Sequence, residues 1–396
     1  MTAGPDVAVA ADRAAPPPVA GSRWRVPLSD LKVDDAVARA VDDVVRSGWW
    51  SMGPRVAAFE TAFRAFCGSG HALAVSNGTA ALHLALLAAG CGRHDEVIVP
   101  SLNFVAAANA IVHTGASPVF VDIAGDSDLN VDVGDVASAI TPATRAIVVL
   151  HYGGHAAPIH ELVALARAHG LVVIEDAAHA PGTLVGGRAC GTFGDMGCFS
   201  FFANKNLPTG EGGMIVTDDE TLAERIRLLR SHGMTTLTWD RHRGHASSYD
   251  VVANGFNYRL DELRAAIGIV HLPRLERENA ARARTVARYR AGLDGERGIA
   301  MPFDGDSDAC AHHLAVVVLP EGVEREDVRV QLVDDGVQTS VHYPPIHRFS
   351  QFRERTHRPL PRTDAVADRL LTLPLYPHLD DERVDYVCER LLEAVQ

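Results

Sequence analysis

Apolar and polar positions along this chain alternate in blocks of two kinds. Short apolar runs bounded by Gly, Pro or Asp read as buried strands at 96–100, 118–122, 146–151, 171–175, 197–202 and 213–216. Between several of them lie longer runs with helical spacing, such as 104–113 and 158–169. Another, within 76–87, is rich in helix formers once Gly78 and Thr79 are passed, and stops at Gly90. Strands alternating with helices predict an α/β fold with a mostly parallel sheet covered by helices. Residues 260–293 read as one or two long helices that suit the link to a second domain. Residues 294–308 are turn-rich. Beyond them a strand (313–319), a helix (325–335), a strand (337–342) and a closing helix (380–394) predict a small α+β domain. The expected division is a tail at 1–22, a large domain at 23–294 and a small one at 295–396.

Composition narrows the function classes. The chain has 396 residues, 47% apolar and 22% charged, which is ordinary globular content. Its net charge of −13, with no block of Lys or Arg, argues against nonspecific nucleic-acid or membrane-surface binding. An anionic small ligand stays open, because a few arginines and helix N-termini suffice. No apolar stretch is long enough to span a bilayer. The Ala- and Pro-rich tail lacks a basic start and carries Asp6 and Asp12, so it is no signal peptide and is expected to be disordered. Six cysteines without CxxC spacing suggest a reduced, cytoplasmic protein. His242 with His245, and His312 with His313, lack companion ligands, so no metal is expected. No GxGxxG follows a first strand, which leaves a nicotinamide-binding reading little support.

Three segments carry candidate chemistry. In GCFSFFANKNLPTGEGG (197–213), Lys205 follows an apolar strand and precedes a Gly-rich turn. A desolvated lysine has a lowered pKa and can act as a nucleophilic amine toward a carbonyl. By itself it reads first as a surface loop lysine, and the other segments overturn that reading. In LVVIEDAAHA (171–180), Asp176 closes a buried strand, where open α/β sheets bind ligands, and His179 follows; Asp176 as a helix cap is the plainer alternative. In SNGTAALHLALL (76–87), Gly78 and Thr79 begin a helix whose N–H groups suit a phosphate, and Ser200 offers a second hydroxyl.

These segments in this order resemble the DegT/DnrJ/EryC1/StrS family of nucleotide-sugar aminotransferases, of fold-type I. Further markers are GPRVAAFE (53–60), VPSLNFVAAANAI (99–111), GFNYRLDELRAA (255–266) and HYPPIH (342–347). The resemblance implies pyridoxal 5'-phosphate, with pyridoxamine phosphate as its aminated form. Lys205 would hold the cofactor and move protons. Asp176 would pair with the pyridine nitrogen, Phe104 would stack on the ring and His179 would approach the ring hydroxyl. Gly78, Thr79, Ala80 and Ser200 would cradle the phosphate. Asn257 and Arg259 would reach it from the other subunit of a homodimer with shared sites. His347 and Tyr343, in HYPPIH, would face the sugar. Many relatives have histidine-proline before the lysine; here Phe202-Ala203-Asn204 fills that gap, which puts the local pocket wall in doubt.

Two regions are candidates for specificity. Trp49 and Trp50 either stack on a nucleobase or pack under the small domain. The polar loop 235–251, with His242, Arg243, His245 and Tyr249, either covers the site or is a solvated surface loop. The resemblance is greatest to enzymes that aminate TDP-4-keto-6-deoxyhexoses with L-glutamate as donor. A C3-aminating relative and a non-enzymatic regulator on the same fold are the alternatives. A sugar dehydratase is disfavoured, because such relatives carry histidine where Lys205 stands.

Overall fold

The computed structural model describes residues 24–236, 239, 248–304, 309–355 and 358–396. The tail expectation for 1–22, and His242, Arg243 and His245 of the 235–251 loop, lie outside the described residues.

Seven strands form the main sheet: β1 (His71–Val75), β2 (Glu96–Pro100), β3 (Ser117–Val121), β4 (Thr144–Leu150), β5 (Val172–Asp176), β8 (Met196–Ser200) and β9 (Gly213–Thr217). Two short strands, β6 (Leu184–Val185) and β7 (Arg188–Ala189), pair outside it. The sheet order is β1-β9-β8-β5-β4-β2-β3. β9 alone runs against its neighbours β1 and β8; the other pairings are parallel. The period-two alternation shows in the packing. Val97 and Val99 of β2, with Ala146 and Val148 of β4, join one apolar cluster. Ile98, Ile147 and Val149, between them in sequence, join another on the opposite face.

Helices cover both faces. Helix Gly78–Ala88 is buried along nearly its whole length and lies against helix Ala106–Thr114. Its many alanines let the backbones approach. On the other face lie Val133–Ala139 and Ile159–His169. A third cluster joins helix Pro54–Cys67, through Phe59 and Phe63, to Phe199 and Phe201.

The stretch at 260–293 forms two helices, Glu262–His271 and Leu275–Leu293, joined by a tight turn at Leu272–Arg274. Pro273 stands at this junction and has no N–H for the helical ladder. Further on, β10 (Ala315–Val318) pairs antiparallel with β11 (Leu370–Leu373). The expected strand at 337–342 does not form: Val337 and Ser340 make single bridges to two different partners, Val26 and Thr372. Helices Arg325–Asp334 and Asp381–Ala394 pack on one apolar cluster, which also takes in Val26 and, from the long helix, Val286, Tyr289 and Leu293.

Candidate active site at the strand ends

The C-terminal ends of β1, β2, β5 and β8 open into one cavity of about 630 Å³. Because β9 runs the opposite way, its first residue, Gly213, reaches the same edge. The backbones there are in close contact. A Cβ on Gly213 would lie 2.5 Å from the Asn77 carbonyl oxygen, and one on Gly78 would lie 2.8 Å from Ser200 Cβ. Only glycine allows the start of helix Gly78–Ala88 to abut the ends of β8 and β9. The side chain of Asn77 accepts the N–H of Ala80 at 2.8 Å. The N–H groups of Gly78 and Thr79 have no intrahelical partner, and they lie beside the Ser200 side chain at the cavity wall. This is a positive-ended anion cradle.

Across the cavity stand Asp176, at the end of β5, and Lys205, in the connection from β8 to β9. No helix follows Asp176. It accepts the Ala178 N–H at 3.3 Å in a turn, so the helix-cap alternative does not hold. Burial raises its pKa, against the N–H of Ala178, the charge of Lys205 and the side chain of Asn103. Burial also lowers the Lys205 pKa to about 8, while the charge of Asp176 works in the other direction. Glu175, one residue earlier, points away. Its buried carboxylate accepts the N–H groups of Gly191 at 2.7 Å and Gly194 at 2.6 Å and sits 2.9 Å from buried His151 Nε2, so its role is structural.

His179 lines the cavity, and its protonation pattern can be deduced. The Gly153 N–H donates to Nδ1 at 3.3 Å, so Nδ1 is an acceptor. In the neutral ring the proton then sits on Nε2, which donates to Tyr343 Oη at 2.8 Å. Burial, reinforced by the charges of Lys205 and His342, holds His179 well below the usual histidine range. Tyr343 follows a cis peptide bond and remains a phenol, because burial raises its pKa far above the ordinary value. With its oxygen accepting from His179, its own proton is left to donate elsewhere. Phe104 stands at the mouth, 55% exposed, with its ring 5.7 Å from that of Tyr343.

The structure thus brings Gly78, Thr79, Ala80, Phe104, Asp176, His179, Ser200, Lys205 and Tyr343 to one cavity. It does not bring Asn257, Arg259, Trp50 or His347 there. Asn257 is exposed beside Ser231. Arg259 bridges to Val75, and its buried Nη1 has no hydrogen-bond partner among the described residues. Trp50 is 55% exposed and donates its ring N–H to Val45. His347 is held away from the cavity by Ser101 Oγ at 2.7 Å and Asp364 at 3.1 Å. The sequence reading missed Asn103, His83, Tyr258 and His342, which line the cavity, and His313, whose Nε2 lies 3.4 Å from Lys205 Nζ. In the sequence His313 stands out only as half of a histidine pair.

The arrangement unites a desolvated amine, a buried carboxylate and an anion cradle in one space. The family model for the DegT/DnrJ/EryC1/StrS aminotransferases matches residues 32–392. The spore coat polysaccharide biosynthesis protein SpsC of Bacillus subtilis is 41% identical over 364 residues, which is 90% of this chain and 93% of SpsC. S. venezuelae DesV, solved in complex with a ketimine intermediate, superposes with a TM-score of 0.87 at 36% identity, covering 94% of this chain and 99% of that one. The sugar aminotransferase CalS13 from Micromonospora echinospora superposes at 0.85 with 32% identity, covering 93% and 99%. A match across almost the whole chain, with the lysine, the carboxylate and the cradle in one cavity, makes the protein an aminotransferase of the DegT/DnrJ/EryC1/StrS family.

Proposed function

We propose that this enzyme moves the amino group of L-glutamate to the C4 carbonyl carbon of a TDP-4-keto-6-deoxyhexose. The product is a TDP-4-amino-4,6-dideoxyhexose for deoxyaminosugar biosynthesis. One observation carries the amino-transfer chemistry: a lysine with its pKa lowered to about 8 shares a cavity with Asp176 and a helix N-terminus. A sugar acceptor is supported by the likeness to CalS13, a sugar aminotransferase, and to SpsC, a polysaccharide biosynthesis protein; the C4 position and the TDP group rest on the resemblance of the whole chain to the C4-aminating branch.

The residues fit pyridoxal 5'-phosphate. The buried side-chain amide of Asn103 lies beside Asp176 and favours its charged form, the form that would pair with a protonated pyridine nitrogen. Gly78, lacking a Cβ, lets the helix N-terminus abut Ser200, so that its N–H groups and the Ser200 hydroxyl line the cavity together. Asp176 would pair with the pyridine nitrogen. The N–H groups of Gly78 and Thr79 and the hydroxyls of Thr79 and Ser200 would hold the phosphate. The N–H of Ala80 is already taken by Asn77, so Ala80 contributes only as wall. When bound, the cofactor supplies an electron sink next to the substrate carbon. Lys205 anchors it and, once released, carries a proton to and from that carbon as general acid and base. Phe104 covers the ring face and helps exclude water. Tyr343 offers its hydroxyl to the cofactor or the sugar.

Residues 23–294 would form the large, cofactor-binding part and 295–396 the small one. In a homodimer, Asn257 and Arg259 of each chain would complete the neighbour's cradle, which would give the orphaned Arg259 Nη1 a partner. Trp50 would meet the nucleotide in the assembled dimer. His347 would act indirectly, by fixing the loop that carries Tyr343.

The test begins with absorbance spectra of wild type and Lys205→Ala supplied with pyridoxal phosphate, before and after glutamate. A visible band in wild type that moves to the near-ultraviolet with glutamate, and is missing from the variant, is the expected result. TDP-4-keto-6-deoxyglucose and its 3-keto isomer are then compared as acceptors. Turnover of the 3-keto sugar alone would replace C4 with C3 amination.

A further inference from the structure

Lys205 Nζ has His313 Nε2 as a neighbour at 3.4 Å, a long hydrogen bond that the family markers in the sequence do not include. Which atom donates follows from two backbone carbonyls, groups that can only accept. Asn279, on the long helix, donates Nδ2 to Pro181 O at 2.9 Å, so its Oδ1 must face the other way. There it meets Asn206 Nδ2 at 2.8 Å. Asn206 Nδ2 also donates to Ala311 O at 2.7 Å, which fixes this second amide independently. Asn206 Oδ1 is therefore turned to His313 Nδ1, 3.0 Å away, and must accept from it. In the neutral ring the proton sits on Nδ1, and Nε2 presents a lone pair to Lys205. Burial keeps the ring neutral, helped by the charges of Lys205, His179, Arg282 and His342. Lys205 itself is faced by Asp176, His179 and His342 as well as by His313.

We propose that His313 is a positioning residue for Lys205, its Nε2 lone pair accepting a hydrogen bond from Nζ and aiming the amine whenever that amine is not joined to the cofactor. Asn206 and Asn279 hold the histidine in the one tautomer that can accept. Asn206 adjoins Lys205 in the chain, so the same short loop carries the amine and the brace for its partner. The ammonium gains an acceptor, and the free amine has one N–H tied back, which narrows the directions open to its lone pair. The inference rests on Lys205 being the amine that carries the cofactor.

The experiment titrates Lys205 directly, without turnover. The full chain freed of cofactor is carbamylated with cyanate across pH 6–11, and the modified peptide is quantified by mass spectrometry. Wild type is expected to give a midpoint near 8. His313→Leu removes the acceptor and so disfavours the ammonium; its midpoint should move down by about one pH unit, the equivalent of one ordinary hydrogen bond. In the holoenzyme kcat should fall by about 10–100-fold, with KM for both substrates within about twofold. His313→Gln, whose amide oxygen can accept, should recover most of both. An unchanged midpoint and kcat in His313→Leu would overturn the proposal. Should that variant not fold, Asn206→Ala frees the tautomer; its midpoint must also fall, and an unchanged one is equally fatal. Borohydride reduction of wild type with pyridoxal phosphate separates this inference from the reading it rests on. A label away from Lys205 sinks both; a label on Lys205 with an unmoved midpoint sinks only the brace.

Discussion

His179 and His313 stand with their rings 4.5 Å apart, and burial holds both well below the ordinary histidine range. They differ in what fixes them. In the loop after β5, a backbone N–H reaches His179 Nδ1 and leaves Nε2 as a donor, aimed at Tyr343. In the segment before β10, an amide oxygen reaches His313 Nδ1 and leaves Nε2 as an acceptor, aimed at Lys205. Two chemically identical rings therefore take opposite hydrogen-bonding roles, one toward Tyr343 and one toward Lys205. The lesson is that a buried histidine takes its role from the nearest group that cannot change its own, here a peptide N–H on one side and two peptide carbonyls on the other.

The largest effect removes what both regions serve. Lys205→Ala should cut kcat by at least about a thousandfold and abolish the visible cofactor band; activity within tenfold of wild type would disprove the assignment. Asp176→Asn keeps the shape but loses the charge, and should lower kcat by about 100–1000-fold. Asn257→Ala leaves both histidines untouched and should weaken cofactor retention about tenfold with the Tm of the cofactor-free protein unchanged; equal retention on dialysis would end the shared-site idea. Tyr343→Phe strips the acceptor from His179 Nε2 and should lower kcat/KM by about 3–10-fold. It should leave the cyanate midpoint of Lys205 in place, whereas His313→Leu moves it. A shift in both variants would mean that the two histidines are not distinct.

The smallest effect is on stability. The folded-state pKa of Lys205 is depressed from 10.5 to about 8. Below about 8 the ammonium is buried at a cost. Between about 8 and 10.5 the unfolded chain binds the extra proton, so the stability of the cofactor-free protein rises with pH across that window. Cofactor-free Lys205→Met should therefore melt a few degrees above wild type at pH 7, with the gap closing toward pH 10.5. A gap that widens with pH would reverse the sign of the argument.

Much of this fold is legible in the residues. The apolar runs that became β2, β4, β5, β8 and β9 sit within two residues of where the sequence places them. β1 escaped because HALAV is short, opens on a histidine and abuts a far stronger helical signal. The direction of β9 was illegible, since period-two alternation reads the same both ways. At 337–342, local propensity lost to tertiary pairing: β11, LLTL, took the long antiparallel contact with β10. The site follows the same division. Gly78, Asp176, Ser200 and Lys205 each lie at, or within a few residues of, a readable helix start or strand end. His313 lies 108 residues from the lysine it faces, and no spacing rule joins them.

The long helix Leu275–Leu293 offers a last consequence. Asn279, near its start, braces His313 through Asn206; Arg282, about one turn on, donates to Leu375 O at 3.0 Å; Tyr289 and Leu293 lie in the C-terminal apolar cluster. The amine is thus referenced to a part of the chain far from its own sheet. If heat loosens the C-terminal cluster before the sheet melts, catalysis should fade first. Thermal inactivation would then precede the loss of helical circular dichroism, and the interval between the two curves would measure how firmly that helix is moored.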